Sequence, residues 1–411
     1  MSMNSTPRGE RTHIAILGRR NAGKSSVINA LTNQEISIVS HIKGTTTDPV
    51  YKAMELLPIG PVVFIDTAGL DDKGTLGELR IEKTYNILNK TDLALLVIDA
   101  TVGINEFEDK ILKTINEKKV SVIGVVNKID EVEDLDALLE TLKGQTEIPL
   151  VPVSATQKIG IDELKTSISD NMPKKYEKFQ IVGDLLNPGD FVVLVTPIDK
   201  AAPKGRLILP QQQVIRDILE SDAIAIVTKE YELRETLENI GKKPKMVITD
   251  SQVFAKVSAD TPKDILLTSF SILFARYKGD LLELVKGAKV LDSLENGDKI
   301  LMAEGCTHHV QCDDIGRVKI PRWIRQYAGK KLEFEFFSGT HYPKDVDSYK
   351  LIIHCGGCML NKKEMQNRIA MAKENKIPIV NYGVLIAYVQ GILKRAIEPF
   401  PLVSMELSKQ K

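Results

Sequence analysis

Residues 13–26 read HIAILGRRNAGKSS, and this stretch decides the first fold. His13–Leu17 is a short apolar run of strand type, and Gly18 to Ser25 is an intact G-x-x-x-x-G-K-[ST] pattern opening a helix-like segment at Lys24–Asn33. Phosphate chemistry requires that order. Gly18 and Gly23 free the backbone so that N–H groups of the loop through Asn21, Ala22, Lys24, Ser25 and Ser26 can close around phosphates. The Lys24 ammonium reaches the β and γ oxygens, and the Ser25 hydroxyl can ligate Mg2+.

Three further elements follow in the order a guanine nucleotide needs. Asp66-Thr67-Ala68-Gly69 ends the run PVVFID and places a carboxylate near the metal and the Gly69 amide near the γ-phosphate. Asn127-Lys128-Ile129-Asp130 ends SVIGVVN. The Asp130 carboxylate can accept from guanine N1–H and from its exocyclic amine, which adenine cannot offer. Ser154-Ala155, after PLVPV, would give a backbone amide to the guanine oxygen. Together they specify GTP. The polar loop Gly44-Thr45-Thr46-Thr47-Asp48 is expected to close over the γ-phosphate and Mg2+ as a switch, with Thr46 as the metal-facing hydroxyl and Thr45 next. Lys24, Thr46, Asp66 and Gly69 form the expected catalytic set.

Outward from the loop, HIAIL, PVVFID, LALLVIDA, VSVIGVVN and PLVPVSA alternate with helix-like stretches such as Gly77–Lys90, the pattern of βαβ units around a parallel sheet. After MPKKYEKF comes a shorter series: DFVVLVTPID, a helix at Gln211–Glu220, AIAIVTK, a helix near Tyr231–Ile240, and PKMVITD. At a sheet edge, FVVLV or AIAIV could pair with its copy in a second subunit. A third series follows Thr261-Pro262: an apolar helix-like segment at Ile265–Tyr277, then DKILMAEG, KLEFEFFSG, YKLIIHCGG and IPIVNYG, with a Lys/Glu-rich helix at Lys362–Asn375. The expected class is α/β, with domains at 1–173, 174–263 and 264–411.

The 411 residues are 43% hydrophobic and 27% charged, which excludes a disordered chain and a disulfide mini-protein. Fifty-five basic residues balance fifty-five acidic ones and only 5% are aromatic, so no nucleic-acid partner is expected. No apolar run reaches the roughly eighteen residues of a membrane span, and MSMNSTPRGERTH has no signal-peptide core, so the expected location is cytoplasmic with no membrane contact.

All four cysteines, Cys306, Cys312, Cys355 and Cys358, lie in the third series. In a reducing compartment such clustering favours metal or redox chemistry over disulfides. Cys306-Thr307-His308 follows one strand-like run, and His354-Cys355-Gly356-Gly357-Cys358 ends another. Three thiolates and a histidine suit tetrahedral zinc; three thiolates and a weak fourth ligand suit a [4Fe–4S] cluster with one exchangeable iron. Spacing does not choose between them. Cys312 reads as a small core residue, and His309 and His341 as surface or structural. Glu304, Asp313 and Asp314 could offer an oxygen ligand, although acidic loop residues ordinarily face water.

GRRNAGKSS and GTTTD resemble the GRPNAGKSS and GTTRD of translation-factor-related GTPases of the tRNA-modification and ribosome-assembly type, over about residues 11–172. The resemblance implies a P-loop GTPase domain in which Asn21 matches an asparagine that helps hold K+ beside the phosphates. Leu70 stands where Ras-like enzymes carry a water-orienting glutamine, so hydrolysis should depend on a cation or on G-domain pairing. The joint presence of these loops with Cys306, His308, His354, Cys355 and Cys358 resembles the HydF family, GTPase scaffolds of [FeFe]-hydrogenase maturation, across nearly the whole chain. That resemblance implies a small α/β dimerisation domain followed by an α/β iron–sulfur domain. There Cys306, Cys355 and Cys358 ligate a [4Fe–4S] cluster, and His308 or His354 is a labile ligand or a neighbour of it. It further implies a transient di-iron precursor delivered to apo-[FeFe]-hydrogenase, two radical S-adenosylmethionine maturases as partners, a homodimer or tetramer, and GTP turnover that regulates partner exchange. The competing expectations are a zinc-stabilised GTPase of ribosome assembly or tRNA modification and a GTP-switched binding protein with negligible turnover.

Overall fold

The computed structural model describes residues 7–32, 50–57, 59–67, 84–172, 180–198, 207–305, 314–339, 343 and 346–408. They fall into two compact units, Met1–Lys178 and Phe179–Lys411.

The first unit is built on a six-stranded sheet in the order β2-β3-β1-β4-β5-β6. Its strands are β1 (Thr12–Leu17), β2 (Val50–Leu56), β3 (Gly60–Asp66), β4 (Leu93–Asp99), β5 (Ser121–Asn127) and β6 (Leu150–Val153). Alternate residues of β1 enter different cores: Ile14 and Ile16 pack on one face, Ala15 and Leu17 on the other. Helices cover both faces, which is why β4 is buried throughout and apolar up to its last residue, Asp99. Every pairing is parallel except that of the edge strand β2, antiparallel to β3. The hydrophobic pattern does not single out β2, because among residues 51–57 only Leu56 is buried. Of the helix-like stretch at Gly77–Lys90, only the part from Thr84 is described, helical over 84–88. The labelled helices are α1 (Lys24–Thr32), α2 (Glu106–Glu117), α3 (Leu135–Gln145) and α4 (Ile161–Asn171). Parallel register sets Ile16 opposite Asp66, Asp99 opposite Asn127 and Asn127 opposite Val153, so the loops after these strands leave from one edge.

The second unit holds two four-stranded parallel sheets, β10-β9-β7-β8 and β12-β11-β13-β14. The first comprises β7 (Phe191–Val195), β8 (Ile224–Thr228), β9 (Met246–Thr249) and β10 (Leu266–Ser269); the second comprises β11 (Lys299–Glu304), β12 (Glu333–Ser338), β13 (Leu351–His354) and β14 (Ile379–Asn381). One continuous apolar core joins them. The helices used below are α5 (Leu209–Glu220), α6 (Leu233–Asn239), α7 (Phe254–Asp260), α8 (Phe270–Lys278), α9 (Leu281–Ala288), α10 (Ile320–Ala328), α11 (Lys362–Glu374) and α12 (Tyr382–Val389).

Two expectations are corrected. Ile265–Tyr277 is not one helix: Leu266–Ser269 pairs with β9, and α8 begins only at Phe270, where the Ser269 hydroxyl accepts from Ile272 N–H at 3.3 Å. An apolar run hides this break, and the capping serine makes it. The sheet of β7 to β10 therefore extends beyond residue 263. Of the two candidate edge strands, Phe191–Val195 is central and Ile224–Thr228 (β8) lies at an edge, with Ile224 42% and Val227 46% exposed. Among the described residues no helix is long and apolar enough to cross a membrane.

His13, at the start of β1, is 4% exposed and its Nδ1 lies 2.8 Å from the Arg11 carbonyl oxygen. Burial, with smaller contributions from Arg8 and Lys90, lowers its pKa from 6.5 to about 4. Between those values the unfolded chain binds the proton and the folded chain does not, so stability falls as pH falls through this window, by up to roughly 3 kcal/mol. Hydrogen exchange in β1 and β4 between pH 7 and 4.5 is expected to show a smaller loss of protection in His13→Gln than in the parent; equal losses contradict this account.

Candidate functional site

The nucleotide edge begins where β1 ends. Gly18 has φ 141°, and a Cβ there would stand 2.4 Å from the Val97 carbonyl oxygen; at Gly23, with φ 90°, it would stand 2.1 Å from Asn127 Nδ2. Both positions need glycine. Asn21 completes the turn in the left-handed region at φ 63°. Lys24 Nζ donates to the Gly18 and Arg19 carbonyls at 2.7 and 2.6 Å, so the loop wraps its own lysine. Ala22 is buried, and Ser25 and Ser26 are half-buried in the first turn of α1.

Asp66 closes β3 and is 2% exposed. Its Oδ1 is buried and meets no hydrogen-bond donor among the described residues. Burial raises its carboxyl pKa, opposed by Lys24 and Lys52. A buried carboxylate oxygen without a donor among the described residues, within electrostatic reach of Lys24 in the phosphate loop, suits a hard divalent cation, and the oxygen donors Asp66 and Ser25 fit Mg2+. Thr45, Thr46, Gly69 and Leu70 lie outside the described residues.

Asn127 braces this edge. Its Nδ2 donates to the Ala22 carbonyl at 2.9 Å, and its Oδ1 accepts from Ala155 N–H at 3.1 Å. The amide expected for the guanine oxygen is thus engaged by Asn127. Lys128 takes φ 70° and its Nζ donates to Asp99 at 2.6 Å. Asp130 is exposed, and the Ser154 hydroxyl, followed by that of Thr156, holds its carboxyl pKa low. It is an ionised acceptor open to a base.

At the cysteine turn, β11 and β13 pair with Ala303 opposite His354, and Cys355 N–H donates to the Ala303 carbonyl at 2.9 Å. Cys355 Sγ accepts from Gly305 N–H at 3.0 Å and from Gly357 N–H at 3.4 Å. Burial pushes the Cys355 thiol pKa up while these two donors oppose it. Cys355 and Cys358 are free thiols. Gly305 directly precedes Cys306 in sequence, but Cys306, His308, His309, Cys312, Asp313 and His341 lie outside the described residues. Among the described residues no group of three or more His, Cys, Asp or Glu could hold a metal ion. The donors that are described, two thiols on one turn with N–H groups aimed at a sulfur, fit a thiolate-ligated metal group.

His354, expected as a labile ligand or a neighbour of the metal group, has both ring nitrogens in hydrogen-bond contact. Fully buried, it has Nδ1 2.7 Å from the Cys355 carbonyl oxygen and Nε2 2.9 Å from Arg368 Nη1. Both nitrogens are engaged, so its role is to hold the backbone at Cys355. Burial, then Arg368, lowers its pKa to about 3, leaving the ring neutral. Arg368 also donates to Glu364 at 3.0 Å and to the Gly339 carbonyl at 2.9 Å. Glu304 and Asp314 do not simply face water. Glu304 is buried and accepts from Ser338 at 2.8 Å and Arg317 at 3.2 Å, while Asp314 caps the Arg317 amide at 2.8 Å.

Sequence reasoning did not assign Glu108, Asp99 or Arg368. Buried Glu108 accepts from Arg19 Nε at 2.9 Å and ties the phosphate loop to α2. The N-x-x-E pattern at Asn105–Glu108 signals the capping box that orients it. Asp99 and Arg368 carry no local signal, since only the folded chain brings Lys128 and His354 to them.

Comparison with known proteins divides the chain in three. The family described as 50S ribosome-binding GTPase matches residues 13–128, the hydrogen maturase F dimerization domain matches 181–279, and the hydrogen maturase F tetramerization domain matches 282–399. The tRNA modification GTPase MnmE of Desulforamulus reducens is 36% identical over 154 residues, 37% of this chain and 33% of that protein. The GTPase Der of Kosmotoga olearia is 35% identical over 162 residues, 37% of this chain and 36% of its own. The GTPase Der of Campylobacter jejuni is 32% identical over 231 residues, 49% of each chain. The chain thus spans a third to a half of the length of these curated relatives. Among solved structures, Aquifex aeolicus Era bound to GDP and aluminium fluoride has a TM-score of 0.36 and 22% identity over 56% of this chain and 98% of that one. The two hydrogen maturase F domains together cover more than half of the residues and follow the GTPase domain in the same chain, which therefore belongs to the hydrogen maturase F family.

Proposed function

We propose that this protein is a GTP-hydrolysing scaffold that binds a [4Fe–4S] cluster and a di-iron precursor and delivers the precursor to apo-[FeFe]-hydrogenase. The observation that carries the reading is the Gly305 N–H bond to Cys355 Sγ, which brings the residue before Cys306 against the Cys-x-x-Cys turn in a chain that also has a guanine-nucleotide edge.

In the first unit Lys24 and the loop amides hold the β and γ phosphates, Asp130 reads guanine, and Asn127 keeps the phosphate and base loops in register. Ser25, Thr46 and Asp66 would hold Mg2+, which supplies charge neutralisation at the phosphates. Gly69 would place its amide at the γ-phosphate. Asn21 would hold K+ in place of the missing glutamine. In the second unit Cys306, Cys355 and Cys358 would hold the cluster, with His308 beside it. Soft thiolates suit iron, and a weaker fourth ligand leaves one position open to the precursor. The exposed Ile224 and Val227 make β8 the edge at which two copies join, with the radical S-adenosylmethionine maturases and the apo-hydrogenase as further partners.

Asp130→Asn loses a charged acceptor for the guanine N–H groups, so calorimetry should show GTP binding weakened about tenfold or more; unchanged affinity contradicts the base assignment. Turnover is expected to be faster in KCl than in NaCl at equal ionic strength, and Asn21→Ala should remove the difference. Equal rates in the parent protein would exclude K+ stimulation. Serine at Cys306, Cys355 or Cys358 is expected to abolish iron retention after anaerobic reconstitution, and hydrogenase activation with it, while GTP hydrolysis stays within about twofold. Loss of GTP hydrolysis in all three variants would refute the division of labour.

A further inference from the structure

Lys278 ends α8 and is only 2% exposed, which puts it among the largest fully buried side chains of the described residues. Its Nζ donates to the Leu360 carbonyl at 2.9 Å and to the Cys358 carbonyl at 3.3 Å, and it lies 5.5 Å from the centre of the Phe274 ring. Both carbonyls belong to the turn that carries Cys355 and Cys358. The same helix supports the other side of that turn. Ser271 Oγ accepts from Gly383 N–H and Asn381 Nδ2, each at 3.2 Å, and lies 3.8 Å from where a Cβ on Gly356 would stand. Ser271, Phe274 and Lys278 are spaced by three and then four residues, so they share one helix face. That face underlies the turn from Gly356 to Leu360.

The helix continues directly from β10, so Lys278 reaches the cysteine turn of one sheet from an element rooted in the other. Burying a cation is costly, and the two peptide carbonyls to which Lys278 donates, which carry only partial charge, recover part of that cost. Thiolates and an anionic metal group on the adjacent cysteines recover more, because attraction is strong where water is excluded. We propose that Lys278 is a positioning residue for the group bound at Cys355 and Cys358: it fixes their turn from the dimerisation segment and sets a positive charge beneath them. The electrostatic half rests on the cluster reading above; the positional half does not.

Two variants of the full-length protein separate the halves. Lys278→Met keeps the length and apolar stem but loses both donor and charge. Lys278→Gln keeps an N–H donor, one atom nearer the backbone, and loses the charge. In the metal-free protein, amide exchange at Gly357 and Leu360 is expected to speed up at least tenfold in Lys278→Met and to stay near the parent rate in Lys278→Gln, with β1 and β4 unchanged in both. After anaerobic reconstitution, EPR-monitored titration is expected to place the cluster potential lower in both variants, since loss of a nearby positive charge disfavours the reduced, more negative state. Unchanged exchange in Lys278→Met overturns the positional role, and unchanged potentials in both variants overturn the electrostatic one. A parent protein that retains no iron would overturn the cluster reading and the electrostatic role together, and the exchange comparison would still decide the positional one.

Discussion

A parallel ladder aligns the carboxyl ends of its strands, and every proposed chemical group of this protein depends on that alignment. In the first unit the pairing of Ile16 with Asp66 and of Asp99 with Asn127 makes the phosphate loop, Asp66 and the base-reading loop leave the sheet together. In the second, Ala303 opposite His354 and His354 opposite Asn381 do the same for Gly305, Cys355 and the start of α12. Slipping any of these strands by one residue would exchange its two faces as well as displace its loop. The apolar cores that fix register therefore also fix the sites.

Each edge is then locked by a buried polar side chain that reaches across sequence. Asn127 joins Ala22 to Ala155, and Lys278 joins α8 to Cys358 and Leu360. Neither bond is local, so each forms only when its sheet is complete. Buried charge at such places is costly alone and is offset when a ligand of opposite sign arrives. The Asp66 oxygen without a donor among the described residues and the buried Lys278 amine at the carbonyls of the cysteine turn follow the same logic with opposite signs. A cation suits the first and an anionic thiolate group the second.

The phosphate loop, NKID and the Cys-x-x-Cys pair were legible because their function demands fixed residue types at fixed spacing next to a strand. Strands of continuous apolar character, such as β4 and β13, were legible for the same reason that they are buried. Val50–Leu56 carries no such pattern, because an edge strand needs none. Ile265–Tyr277 reads as one helix because an apolar run says nothing about where a strand yields to a helix. His354, beside two cysteines, reads as a labile ligand or a neighbour of the metal group; only the fold shows Arg368 on one nitrogen and the Cys355 carbonyl on the other. Long-range partners of this kind leave no mark on local spacing.

The central claim is that thiolates of the second unit hold an iron–sulfur cluster in a chain whose first unit turns over GTP. Metal analysis with visible and EPR spectra, on protein reconstituted without oxygen and then reduced, tests it most directly. The account predicts a brown protein with about four irons per chain and a reduced [4Fe–4S] signal. A colourless protein that keeps one tightly bound zinc and takes up no iron would contradict it.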